Sequence, residues 1–294
     1  MALKVGLQLY SVKNSMAADP LAAIENVGKL GYKFVEFANH NAAVDFGCGF
    51  GVEASVMKEK LDSYGMKAIS SHINPLNMDN INQVIEYYQT LECKNLVNPA
   101  DFFESKDEVL RKCEQYNKIG EKLKASGINY LYHNHFHEFQ KFDGEYVLEI
   151  MKNNVDPEYV GFQLDTFWVM RGGADPVEII KKFGKSVKLI HQKDFSKEID
   201  IPVNIFSFID PNQKLDFNGL MAAFNTKSNG HAQQEAIVEI GTGRMDIQLI
   251  LNAAEEYTNA EYVILEQDYT VHDEIESIKI SMESFQKFQG IAWA

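Results

Sequence analysis

"YVGFQLDTFWVMRGGADPVEIIKKFGKSVKLIHQKD", residues 159–194, contains a complete strand–helix–strand unit. An apolar run at 160–164 ends on Asp165. Ten residues later Asp175 offers a helix N-cap, and Pro176 fits the first helical position, where its missing N–H costs nothing. Gly184 closes that helix, and a second apolar run at 187–191 ends on His191. Two apolar strands joined through a helix form the crossover that a parallel pair requires.

The same grammar recurs along the chain. "ADPLAAI" at 18–24 repeats the Asp-Pro start, with Leu21, Ile24 and Val27 at helical spacing until Gly31. Gly31, Gly65 and Gly127 each lead straight into an apolar run ("LGYKFVEF", "YGMKAISS", "SGINYLYH"), 34 and 62 residues apart, one and two units of a repeat near 31. Strands are expected at 5–10, 34–37, 68–72, 95–98, 130–133, 160–164, 187–191 and 262–265. Eight such units predict an α/β fold, a closed (β/α)8 TIM barrel in one domain spanning 1–294, with an insertion at about 197–236 after strand seven. A doubly wound open sheet would carry a glycine fingerprint after its first strand, and "LQLYSVKNS" has none.

Composition narrows the function classes. The net charge is −14 and no Lys/Arg-rich run occurs, which argues against a nucleic-acid partner. Cys48, Cys93 and Cys113 are odd in number and contain no C-x-x-C, as expected of reduced thiols in a cytoplasmic protein. No apolar run reaches the roughly 18 residues of a membrane span. The expected partner is a small molecule, with a homo-oligomer left open.

In a barrel, chemistry sits where strands end. Strand six ends on Asp165, strand seven on His191 with Lys193 two residues on, and strand eight on Glu266. Near strand five, "YHNHFHEF" gathers His133, His135, His137 and Glu138 in a chain with only eight histidines. Glu138, Asp165 and His191 are 27 and 26 residues apart, one unit each, so with Glu266 they are expected to converge. Three carboxylates and an imidazole suit a single divalent ion, Mn²⁺ first, with Mg²⁺, Co²⁺ or Zn²⁺ also compatible. Each has a bland reading as a loop cap, Asp165 before Thr166 above all; four together shift the balance to a site. His137 reads as structural. Glu36 and His72 end strands two and three as candidate sugar-hydroxyl binders, and Trp168, next to Phe167, is a candidate stacking surface. "FGCGFGVEAS" at 46–55 reads as a mobile substrate loop rather than a phosphate cradle, because it lacks a Gly-Lys-Ser/Thr ending.

The stretches "YHNHFHEF", "FQLDTFWVMRGGADP", "LIHQKD", "VEIGTGRMD" and "VILEQDY" resemble the sugar phosphate isomerase/epimerase family with its xylose isomerase-like barrel, in a group with a His-Asn-His-x-x-Glu-Phe signature. The resemblance runs from "VGLQLYSV" to "SIKISMESF" and implies a metal held by Glu138, Asp165, His191 and Glu266. Relatives without the histidine signature carry the fifth-strand Glu a few residues earlier, which would leave His133 or His135 in the metal-side position. The implied chemistry is proton removal beside a carbonyl to give an enediolate. Glu266 and Glu138 would double as bases, His133 and His135 would face the substrate as acid/base groups, and Lys193 would polarise a hydroxyl or carbonyl. Isomerisation or epimerisation is the first expectation and a 3-keto-glycoside lyase or hydratase the alternative. An apurinic endonuclease or a non-catalytic sugar-binding barrel stands further off. The insertion, leaving strand seven at the catalytic end, is expected to form part of a lid.

Overall fold

The computed structural model describes residues 2–207 and 235–293. Eight parallel strands close a barrel: β1 Leu3–Gln8, β2 Phe34–Asn39, β3 Lys67–Ile73, β4 Asn95–Asn98, β5 Asn129–His133, β6 Val160–Asp165, β7 Val187–Gln192 and β8 Tyr262–Leu265. Each strand pairs with the next in chain order, and β1 pairs with β8 (Leu7↔Leu265) to complete the ring. The first strand starts and stops two residues earlier than its apolar pattern suggests. The Gln8 carboxamide accepts the Tyr10 N–H at 3.1 Å, bending the chain into a 3₁₀ turn at Leu9–Val12.

The connecting helices form for the reasons their sequences give. Asp19 accepts the Ala22 N–H at 3.0 Å and Asp175 that of Val177 at 2.8 Å, so each caps a helix whose first residue is proline. The helix Pro176–Phe183 buries Ile179, Ile180 and Phe183, each contributing about 1.5–3 kcal/mol by leaving water.

Inside the barrel, the period-two alternation of the strands sorts polarity by height. Leu131, Leu189 and Ile264 join Phe34, Ile69 and Val97 in an apolar plug toward the strand starts. Two residues further along their strands stand His133, His191 and Glu266. Gly161 lies in the plug layer because a Cβ there would sit 2.8 Å from Leu131 Cδ2, and Gln163 and Asp165 follow it at the same spacing.

Two features modify the expected loops. The glycine-rich stretch after β2 is tied down. The Asp45 carboxylate accepts the Gly47 and Gly51 N–H groups at 2.7 Å, Asn39 Nδ2 donates to the Asp45 and Gly47 carbonyls, and Cys48 is buried. After β7, Asp194–Phe195 pairs antiparallel with Ile237–Val238, so the insertion leaves and returns at one point. Its described start packs Ile205 against Phe136, Phe167, Trp168 and Phe195. The lid expected of 197–236 falls largely on 208–234, outside the described residues. Among the described residues, no helix is long and apolar enough to cross a membrane.

Candidate metal centre and active site

Four strand ends bring one group of side chains together at the C-terminal mouth of the barrel. His133, Asp165, His191 and Glu266 each present a ligand atom, all within 4.8 Å of one another and all buried. His191 Nδ1 lies 3.0 Å from Glu266 Oε2, and His133 Nε2 lies 3.9 Å from Asp165 Oδ2. Asp165 divides its carboxylate between two tasks. Oδ1 accepts the Trp168 N–H at 2.9 Å and caps the short helix Thr166–Arg171, while Oδ2 is buried with no hydrogen-bond partner. The Lys193 ammonium lies 3.6 Å away, beyond hydrogen-bond distance, and a carboxylate oxygen buried without a hydrogen bond carries a desolvation penalty that a closer cation would relieve. Burial pushes the Asp165 carboxyl up to about 7, against the lowering pull of Lys193 and His191. Burial also pushes Glu266 up, but Lys193 and His191 override it and hold that carboxyl far below its ordinary value.

A second set of polar side chains packed against the first fixes the imidazoles. Glu36 is fully buried, with Oε1 facing Gln8 Nε2 at 2.7 Å, His191 Nε2 at 2.6 Å and His72 Nε2 at 3.2 Å. Its Oε2 accepts from Gln163 Nε2 at 2.5 Å. That donation leaves Gln163 Oε1 as the acceptor for His72 Nε2 at 2.7 Å and His133 Nδ1 at 2.9 Å. His133 therefore carries its proton on Nδ1 and turns a lone pair on Nε2 toward Asp165. Burial, then His191 and His72, drives its pKa well below the ordinary value, so the ring is neutral. On His191, burial lowers the pKa, but Glu36 and Glu266 raise it to about 10. A carboxylate behind a histidine is the arrangement that orients metal-binding imidazoles. The donor set of two imidazoles and two carboxylates, with one oxygen orphaned among them, fits a divalent cation.

Glu138 stands apart from this group. The chain leaves β5 after His133, and Glu138 sits on the 3₁₀ turn His137–Phe139 with its carboxylate turned back. It accepts from Tyr132 Oη at 2.7 Å and the His135 N–H at 2.9 Å, and lies 3.2 Å from His137 Nε2. His133 stands where the spacing argument put Glu138. Glu36 and His72 are bonded to site residues, Glu36 to His191 and Gln163 and His72 to Gln163. Gln8 and Gln163 escaped the sequence reading, although Gln163 precedes Asp165 by the two residues that share a strand face.

Above the cluster, Lys193 Nζ contacts Glu266 Oε2, lies 2.8 Å from Asp268 Oδ1 and 3.6 Å from Asp165 Oδ2. Burial lowers its pKa, but these carboxylates, Asp268 first, raise it above the ordinary value and keep the ammonium charged. His135 and Trp168 stand side by side, ring centroids 5.5 Å apart, and His135 Nδ1 and Trp168 Nε1 are buried without hydrogen-bond partners. Burial pushes the His135 pKa down to about 3, so this imidazole is also neutral. His137 packs flat on Phe102 and bonds the Asp101 carbonyl at 2.9 Å, a structural position as expected.

Comparison with known proteins agrees with this architecture. A sugar phosphate isomerase/epimerase from Parabacteroides distasonis superposes with a TM-score of 0.72 over 99% of this chain and 96% of its own, at 22% identity. The IolI protein, solved with a zinc atom, superposes at 0.67 over 96% of each chain with 15% identity. In sequence, an inosose dehydratase from Clostridium botulinum (strain Alaska E43 / Type E3) is 30% identical over 126 residues, covering 42% of this chain and 39% of the dehydratase. The family model of the xylose isomerase-like TIM barrel matches residues 24–288, and the chain belongs to that family.

Proposed function

We propose that this protein is a divalent-metal-dependent enzyme that removes a proton beside the carbonyl of a sugar or cyclitol ketone. The observation that carries this reading is the buried group of His133, Asp165, His191 and Glu266, in which Asp165 Oδ2 accepts no hydrogen bond. A divalent cation held there supplies positive charge that lowers the cost of forming an oxyanion next to the reacting carbon. Mn²⁺ suits the mixed donor set, and Zn²⁺ suits it as well.

The chain's own groups account for the proton. We assign the proton transfer to His135, whose Nδ1 has no hydrogen-bond partner and whose ring lies 4.9 Å from that of His133. The C–H electron pair moves into the carbon–carbon bond, and the carbonyl oxygen takes the negative charge beside the Lys193 ammonium. Returning the proton to the opposite face gives an epimer. Returning it to the neighbouring carbon gives an aldose–ketose isomer. If a hydroxyl on the β-carbon leaves with the returned proton as water, the outcome is dehydration, and similarity to inosose dehydratases favours this branch as the second reading.

The test is proton NMR in D₂O with inosose and a panel of ketohexoses and 3-keto-glycosides. Exchange of the α-proton is expected with Mn²⁺ or Zn²⁺ and is expected to stop with EDTA. Loss of water from inosose selects the dehydratase branch. If no ketone exchanges in the presence of metal, the enzymatic reading is overturned and a sugar-binding barrel takes its place.

A further inference from the structure

We infer that Asn134 is a positioning residue for the metal-side carboxylate: its side-chain amide acts as the missing rung of the β5–β6 ladder and holds Asp165 in place. The inference rests on the reading of Asp165 as a metal ligand. It concerns how the chain holds that ligand, about which neither the composition of the cluster nor the family fold says anything.

The ladder between β5 and β6 runs Tyr130↔Val160, Leu131↔Gly161, Tyr132↔Phe162 and His133↔Gln163. Two more steps would bring Asp165 opposite His135, but β5 ends at His133 because the chain turns toward the 3₁₀ segment His137–Phe139. The Asp165 peptide is fully buried, so its N–H and C=O need partners from somewhere. Asn134 provides both. Its Oδ1 accepts the Asp165 N–H at 3.0 Å, and its Nδ2 donates to the Asp165 carbonyl at 3.2 Å. Asn134 is itself buried, and the same Nδ2 lies 3.4 Å from the His135 carbonyl. A carboxamide is the only side-chain group that offers a donor and an acceptor in the geometry of a peptide.

On a continuing strand Asn134 would point outward to the helices between two inward histidines. Alternation holds only while the strand lasts, and here it stops one residue earlier. Because Asp165 Oδ1 is held by the Trp168 N–H and its peptide by Asn134, only Oδ2 is left without a hydrogen bond, 3.6 Å from the Lys193 ammonium. Every other polar atom of the residue is committed to holding that oxygen's direction.

The test compares Mn²⁺ affinity by calorimetry and amide exchange by NMR in wild type, Asn134→Ala, Asn134→Asp and Asp165→Asn. Asn134→Asp keeps the volume and the acceptor but sets a carboxylate oxygen against the Asp165 carbonyl, so it covers the case in which Asn134→Ala fails to fold. We expect both Asn134 variants to bind Mn²⁺ about 10-fold or more weakly, as loss of an orienting partner does. The Asp165 amide should exchange faster in both, while barrel-strand amides such as that of Leu131 keep their protection. Asp165→Asn should lose the metal more completely. Undiminished affinity in folded Asn134 variants, alongside a metal-deficient Asp165→Asn, overturns this inference alone. Undiminished affinity in Asp165→Asn overturns the ligand reading and this inference with it. A uniform loss of protection across the barrel marks Asn134 as a general stabilising residue and also overturns the inference.

Discussion

Glu138 shows how a residue with the right chemistry and the right spacing can still belong to another structure. Counting along the chain placed it one repeat before Asp165, but the count ignores where a strand stops. Once β5 ends at His133, the turn carries Glu138 behind the loop, where it holds the His135 N–H and Tyr132 Oη. Replacing it therefore tests position rather than coordination. Glu138→Gln keeps the shape but puts a donor where an acceptor is needed, and should cost about 1–3 kcal/mol in chemical denaturation. Its Mn²⁺ affinity should stay within about 3-fold of wild type, since second-sphere losses begin near 10-fold. A loss of metal comparable to that expected of Asp165→Asn would return Glu138 to the ligand set. His135→Ala separates the acid/base role from the metal in the same way. Metal titration and thermal unfolding should match wild type while α-proton exchange slows about 10²-fold or more. Unimpaired exchange in that variant would move the proton transfer to a carboxylate.

At the scale of elements, the barrel was legible because each strand and helix announces itself locally. Asp-Pro starts, helical spacing and closing glycines need only a few residues of context, and the residues that end β6 and β7 could be read off the same runs. The second set of polar side chains was not legible. Glu36 meets Gln163 across 127 residues and His191 across 155, and no local pattern records which inward side chains face each other once the ring closes. Glu36 and His72 read from the sequence as strand-end residues, but which inward side chains they meet depends on the register and bulges of the neighbouring strands. The β2–β3 ladder shifts register between Val35 and Glu36. The loop "VEIGTGRMD" gained its meaning only in three dimensions. The Asp194 carboxylate accepts backbone N–H groups from Phe195, Gly241, Gly243 and Met245 at 2.8–3.1 Å, closing the chain where the insertion returns. Asp194→Ala leaves these donors without their acceptor and should destabilise the protein by about 2 kcal/mol or more. Limited proteolysis should then cut between 195 and 245 faster than in wild type, and cleavage at an unchanged rate would show that other contacts close the loop.

For the whole molecule, the arrangement couples folding, protons and metal. The chain carries a net charge of −14, yet sets Glu36, Asp165 and Glu266 in its interior, where their charges are met by His191 and Lys193. Asp165 keeps its proton up to about pH 7 in the fold, against 3.8 ordinarily, so the folded chain binds an extra proton in between. Stability from this group is present below 3.8 and is lost as the pH rises through about 7. His191 acts in the same direction at higher pH, its contribution being complete below 6.5 and lost as the pH rises through about 10. Glu36, Glu138 and Glu266 are held below their ordinary 4.5, so their contribution is lost only on the acid side. Below about pH 6.5 the buried His72, His133 and His135, whose pKa values are lowered, act in the opposite direction, so the metal-free protein should become less stable with rising pH only from about pH 7 to 8.5. A divalent cation competes with the protons on Asp165 and His191, so its binding should strengthen over the same interval. At pH 8, Mn²⁺ at 100 times its dissociation constant should add about 2.7 kcal/mol of stability. At pH 5.5 the same total Mn²⁺ should add much less. Differential scanning calorimetry of EDTA-treated and Mn²⁺-loaded protein across this range reads both trends. A metal increment that shrinks with rising pH would mean that the cation does not displace these protons and that it binds elsewhere.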